Sequence, residues 1–236
     1  MGTINIMPIK WFGNKEAYME SPIRIITVGL NPSHIEFRDN KKCKFLSSKY
    51  RFPDFNPANQ SSLEVSLNDY FKINPYSWFY AFDHILKGLN ASYWANGKDN
   101  IALHTDFCTT WATDPTWSKL SQSDRNALMK SGVPEWVNLI KELKPDIILF
   151  SIPQQYINML HLNPKPIALC SFDKTEKGVL RKRSVEITMG EYNNTLAFFG
   201  RTWNLPYGAL GKEQKKRKKE KEEDKYCYLD KRYSVD

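Results

Sequence analysis

Ile23 to Leu30 is a β-branched apolar run that ends at Gly29 and meets Pro32, a pattern that predicts a buried strand feeding a tight loop. The polar, Pro-containing stretch from 33 to 74 lacks sustained periodicity, apart from a short helix expected around Leu63 to Phe71. An excursion of that length inside a compact domain is functional or disordered. Apolar Trp78, Phe79, Phe82, Ile85, Leu86 and Leu89 then recur at helical spacing, predicting a helix over 76–89. Ile101 to Thr109 reads as a second strand, and 123–143 as a helical region whose start is reset at Pro134. Ile147 to Ile152 reads as a strand, 153–162 as a helix, and Ile167 to Ser171 and Thr195 to Phe199 as further strands.

Strands alternating with helices predict an α/β fold, a mainly parallel sheet wrapped by helices. In such sheets ligands lie at the carboxyl ends of strands, so the loops after Val28, Phe107 and Phe199 are expected to converge. The chain has 236 residues, 41% of them hydrophobic, enough for one domain with a substantial core. Four cysteines, Cys43, Cys108, Cys170 and Cys227, are scattered without a Cys-x-x-Cys pair, so spacing suggests neither a zinc ribbon nor an iron-sulfur cluster. They read as reduced thiols. No basic flank followed by an apolar run opens the chain, and no segment reaches membrane-spanning length, so a cytoplasmic protein with no membrane partner is expected. A net charge of +8 and a pI near 9.2 favour a polyanionic partner without identifying it.

At the end of the first strand stands Gly29-Leu30-Asn31-Pro32-Ser33. This resembles the Gly-x-Asn-Pro water-activating motif of mismatch-specific and single-strand-selective members of the uracil-DNA glycosylase superfamily. Further matches follow in order. Pro75-Tyr76-Ser77-Trp78-Phe79 resembles the stretch opening the next helix of that family, Leu103-His104-Thr105-Asp106-Phe107 with Thr113 its second strand, and Lys144 to Phe150 its third. The resemblance runs over most of residues 23 to 210. It implies a three-layer α/β/α fold around a mainly parallel four-stranded sheet, with one domain over 1–210, an insertion at about 34–74, and a charged C-terminal helix or tail over 211–236.

The activity implied is hydrolysis of an N-glycosidic bond in DNA after the nucleotide is flipped out, by a monomer that needs no cofactor or metal. Asn31 is the expected catalytic residue: its amide oxygen can accept a hydrogen bond from the attacking water. As a plain sequence feature, Asn-Pro-Ser is also an ordinary turn. Gly29, Leu30, Pro32, Ser33 and His34 surround Asn31 in the expected base pocket. Phe37, Trp78 or Phe79 is the candidate to stack on the base, and Asp106 could read an exocyclic amine or merely cap the following loop.

The family's second motif, often His-Pro-Ser, is replaced by Gly200-Arg201-Thr202-Trp203-Asn204-Leu205-Pro206-Tyr207-Gly208. There Asn204, Thr202 or a backbone N–H would meet the leaving base, Leu205 or Tyr207 would wedge into the stack, and Arg201 would meet phosphate. Trp203 serves either that loop or an aromatic cluster closing the sheet. Lys212, Lys215 and Lys216 open a basic run that suits phosphate or a solvated tail.

The long 34–74 excursion suits DNA contacts or a base bulkier than uracil. The superfamily includes anti-phage glycosylases that excise glucosylated hydroxymethylcytosine, which makes a modified cytosine the expected substrate. Uracil or thymine mismatch repair is the alternative. Two other classes remain open: a catalytically weak sensor of modified DNA, and an unrelated nucleotide-binding α/β enzyme, although the first loop lacks the glycines of a Rossmann or P-loop site.

Overall fold

A computed structural model describes residues 3–4, 7–33, 52, 54–56, 58–59, 61–73, 75–162, 166–175 and 177–200. Its elements are, in chain order, β1 (Thr3–Ile4), α1 (Lys15–Met19), β2 (Ile25–Gly29), α2 (Ser61–Asn68), α3 (Tyr70–Ile73), α4 (Tyr80–Leu86), β3 (Ala91–Ser92) and β4 (Asn100–Asp106). There follow β5 (Ala112–Thr113), α5 (Gln122–Leu143), β6 (Ile147–Phe150), α6 (Gln154–Ile157), β7 (Ile167–Lys174), β8 (Leu180–Tyr192) and β9 (Thr195–Gly200).

The class is α/β, but the sheet has seven strands rather than four, in the order β3-β4-β2-β6-β9-β8-β7, with β1 and β5 forming a separate pair. The first five are mutually parallel, and β8 and β7 are added antiparallel at one edge. The run Ile167 to Ser171, expected among alternating strands and helices, is therefore the outer arm of a hairpin. Its partner β8 escaped the reading because Arg181, Lys182 and Arg183 break the apolar pattern at its start. The signal lay further on, where Val185, Ile187 and Met189 alternate with polar residues and Asn193-Asn194 takes positive φ in the turn to β9.

β2 and β6 are buried along their whole length, as a parallel strand covered on both faces must be. One face carries Thr27 and His104, packed under Trp78, Phe79 and Phe82 at ring distances of 5.4, 5.0 and 5.9 Å from the imidazole. The other face carries Thr105, whose hydroxyl accepts from Trp136 Nε1 of α5 at 3.1 Å. Trp136 also meets Phe107, Phe150 and Tyr192, which ties the antiparallel edge to the parallel centre.

α5 does not restart at Pro134. It runs unbroken from Ser121, whose hydroxyl accepts from the Asp124 backbone N–H, to Lys144 in a left-handed cap. Pro134 is exposed, so the N–H it lacks is missing on the solvent side of the helix rather than in the core. Two residues earlier, buried Gly132 lets the helix touch the Cys108–Thr109 backbone. The helix expected over 63–71 is split into α2 and α3, and it packs Leu67, Tyr70 and Phe71 onto the core. No described helix is long and apolar enough to cross a membrane.

Burial raises the Tyr18 and Tyr93 phenols and the Cys108 thiol well above their ordinary ranges; the Thr27 hydrogen bond opposes the shift at Tyr93, and Asp106 adds to it at Cys108. The unfolded chain ionises these groups at ordinary values while the native state holds their protons. Stability is thus fully present below the ordinary thiol range and is expected to fall progressively from about pH 9 upward. A urea midpoint that is unchanged between about pH 8 and about pH 10.5 would contradict this.

Candidate active site at the carboxyl ends of the parallel strands

The register sets the floor of the site. Gly29 stands opposite Asp106, and Val28 opposite Phe150, so the ends of β4, β2 and β6 are level and Ser151 follows at the same height. Beyond the strands, Phe107 N–H and Cys108 N–H donate to the Gly29 and Leu30 carbonyls at 2.9 and 2.8 Å, and Ser151 N–H donates to Val28 at 2.8 Å. These bonds hold the three loops together over a cavity of about 450 Å³. Of the three loops expected to converge, those after β2 and β4 line the cavity together with the loop after β6, and the loop that follows Phe199 lies beyond Gly200, outside the described residues.

Asn31 lies on the cavity wall with its amide orientation determined. Nδ2 donates to the Pro32 carbonyl at 2.7 Å and to Thr113 Oγ1 at 2.9 Å. A carbonyl only accepts, so the atom facing it must be the NH2 group. Oδ1 is left without a hydrogen bond among the described residues. Ser33 bridges to Thr113 as well, so β5 clamps the whole Asn-Pro-Ser turn.

Across the floor, Asp106 is buried and lines the cavity, with His104 Nε2 at 3.6 Å from its Oδ1, beyond hydrogen-bond reach. This approach requires a glycine at 29: a Cβ there would stand 2.5 Å from Asp106 Oδ1 and 3.0 Å from His104 Nε2. Behind His104, Nδ1 lies 2.8 Å from Thr27 Oγ1, which is itself 2.5 Å from the Tyr93 hydroxyl. Buried Tyr93 has no other acceptor among the described residues and donates to Thr27, because an unsatisfied buried hydroxyl hydrogen is costly. The imidazole is thereby held by the core with Nε2 facing the carboxyl of Asp106, while Thr27 Oγ1 also lies 3.3 Å from the Leu103 carbonyl.

Of the aromatic candidates, Trp78 is half-buried on the cavity wall, whereas Phe79 is core and shows the cavity only part of its ring. It packs edge-on against Tyr70 and Phe71. Gly29, Leu30, Pro32, Ser33 and Asp106 line the cavity as expected. His34, Phe37, Arg201, Thr202, Trp203, Asn204, Leu205, Tyr207, Lys212, Lys215 and Lys216 lie outside the described residues.

Comparison with protein-family models, curated proteins and solved structures finds no match. The chemistry of the site therefore rests on its own residues.

Several of those were not anticipated. Phe12, Tyr76, His104, Thr116, Trp117, Ser118, Arg125, Ser151, Pro153, Gln155 and Tyr156 complete the wall. Ser151 could have been found by extending the strand-end rule to Phe150. Nothing in sequence spacing announced Trp117 and Tyr156, which are 39 residues apart and joined by Trp117 Nε1 donating to Tyr156 Oη at 2.8 Å. Tyr156 accepts that bond, and its own hydroxyl hydrogen has no protein acceptor among the described residues. Arg125, half-exposed in the first turn of α5, is held by Gln122 at 3.1 Å and adds a cation to the same wall.

Proposed function

We propose that the protein is a monofunctional DNA glycosylase, similar in its chemistry to the uracil-DNA glycosylase superfamily, that hydrolyses the N-glycosidic bond of a flipped-out, amine-bearing base and leaves an abasic site. The observation that carries this reading is the pinned Asn31 amide: its donors are spent on Pro32 and Thr113, and its oxygen is left to accept at the cavity wall. A water held there is oriented for attack on the anomeric carbon without being ionised.

An extruded base needs a slot with an aromatic wall and a polar edge, and the cavity offers both. Trp78 gives the aromatic surface. Asp106 gives an acceptor, which suits the exocyclic amine of a cytosine-type base better than the carbonyl that uracil or thymine carries at that position. His104 Nε2 when it carries the ring proton, the Tyr156 hydroxyl and Arg125 are donors for ring nitrogens, carbonyl oxygens or phosphate. Negative charge developing on the departing base would be met by the first two.

The test is to incubate the protein with duplexes carrying uracil, a thymine mismatch, hydroxymethylcytosine or its glucosylated form, then treat with alkali and look for strand breaks. Breaks confined to a cytosine-type duplex are the expected result. Breaks only at uracil or thymine would refute the assignment of Asp106. No breaks in any duplex, despite salt-sensitive binding, would replace the enzyme with a sensor of modified DNA.

A further inference from the structure

β8 is 13 residues long, and its described pairing with β9 starts at Ile187, opposite Gly200, the last residue the structure describes. Among the described residues, the seven from Leu180 to Glu186 have β7 as their strand partner, a length of up to about 20 Å at ~3.3 Å per residue. Because β9 is parallel to β6, its carboxyl end is the one at which the cavity opens. The ribbon stands beside the cavity: a groove lined by Ser184, Glu186, Thr188, Phe199 and Gly200 on one side and by Ile152, Pro153 and Gln154 on the other separates them, and Pro153 lines both.

The described residues of the turn are unusual in composition. Thr175 N–H donates to Val179 and Gly178 N–H to Thr175, with Gly178 at φ +79° closing the turn. Val179 and Leu180, 62% and 72% exposed, stand at this turn with exposed Lys177 beside them. Just behind, the pairing steps from Lys174–Leu180 to Phe172–Val185, so two residues of β7 are matched by five of β8. Arg181-Lys182-Arg183-Ser184 thus stands opposite Asp173 alone, three residues in excess of the ladder. A bulge re-aims the chain and adds twist, and this one lies in a basic run near the β7–β8 turn.

We propose that the β7–β8 ribbon is a DNA-contacting arm, gripping the phosphates of the duplex beside the flipped nucleotide with Lys177, Lys182 and their neighbours while Val179 and Leu180 lie against the groove. The identity of the polyanion rests on the glycosylase reading; the arm itself rests on topology, charge and exposure. Cations that merely guarded an edge strand against aggregation would be spread along β7. Here they are concentrated at the tip and the bulge, next to exposed apolar residues that such guarding would avoid.

The experiment uses the full chain and a fluorescently labelled duplex, with affinity measured over a salt series for the wild type, the Lys177→Gln/Lys182→Gln variant and the Val179→Ser/Leu180→Ser variant. Loss of two phosphate contacts is expected to lower the salt slope by about 1.8 and to weaken binding roughly tenfold or more near 0.1 M salt. The apolar variant should weaken binding with the slope unchanged. Both should melt as the wild type does, since these side chains are exposed. Unchanged affinity and slope in the first variant would overturn the arm, as would new aggregation in place of weakened binding. Failure of the glycosylase reading is read separately: wild-type protein that binds the duplex through this arm but releases no base leaves the arm standing.

Discussion

Asn31→Ala is expected to lower the rate of base release by at least about 10²-fold while changing DNA affinity less than about threefold. The reason lies in how the side chain is held. Its two donors bind Pro32 and Thr113, so the amide cannot turn, and the cost of ordering its oxygen is met on folding rather than during the reaction. Alanine removes the acceptor for the water but leaves Pro32 and the Ser33–Thr113 bridge to hold the turn. A purely structural Asn31 would behave differently, with lower thermal stability and DNA affinity falling together with activity. Single-turnover release and duplex binding measured on the same preparation separate the two, and parallel losses would remove Asn31 from the chemistry.

Gly132→Val should be among the most destabilising single substitutions in the chain. A Cβ at 132 would stand 2.1 Å from the Cys108 carbonyl oxygen, 2.6 Å from Thr109 Cα and 2.7 Å from the Cys108 carbonyl carbon. All three are backbone atoms that no rotamer change can clear. The helix propensity regained on replacing glycine is worth at most ~1 kcal/mol, whereas forcing α5 away from the 108–109 loop is expected to cost about 3 kcal/mol or more. For a chain of this size that corresponds to a melting temperature lower by roughly 6–12 °C. The same loop donates from Phe107 and Cys108 to the carbonyls beneath the cavity, so activity should fall at temperatures where the variant is still folded. Ser131→Ala, on the exposed side of the same turn, is the control and should stay within about 0.5 kcal/mol of wild type. Equal melting of Gly132→Val and wild type would refute the close approach.

The parallel centre of the sheet and the position of Asn31 were readable from the chain because they depend on local patterns. Ile25 to Gly29 and Ile147 to Phe150 are apolar runs of strand length, and a turn of Asn-Pro-Ser at the end of a buried parallel strand has one place to go. Asp106 could be marked for the same reason. Pro134 misled because the rule that proline starts or breaks a helix is local, while α5 is held by Trp136, Leu139, Ile140 and Leu143 in the core and by its cap at Ser121. The length of the sheet misled because β8 begins in a basic run whose apolar face appears only from Val185.

By itself, then, the sequence determined the α/β class, the strand ends at which chemistry can occur and the identity of Asn31 and Asp106 there, since period, turn chemistry and burial act over a few residues. Tertiary structure alone decided which way the Asn31 amide faces, that His104 is held by Thr27 and Tyr93, that Trp117 and Tyr156 share one wall, and that a basic ribbon stands beside the cavity. Each of those depends on contacts between residues distant in the chain, and only packing and strand order can bring such residues together.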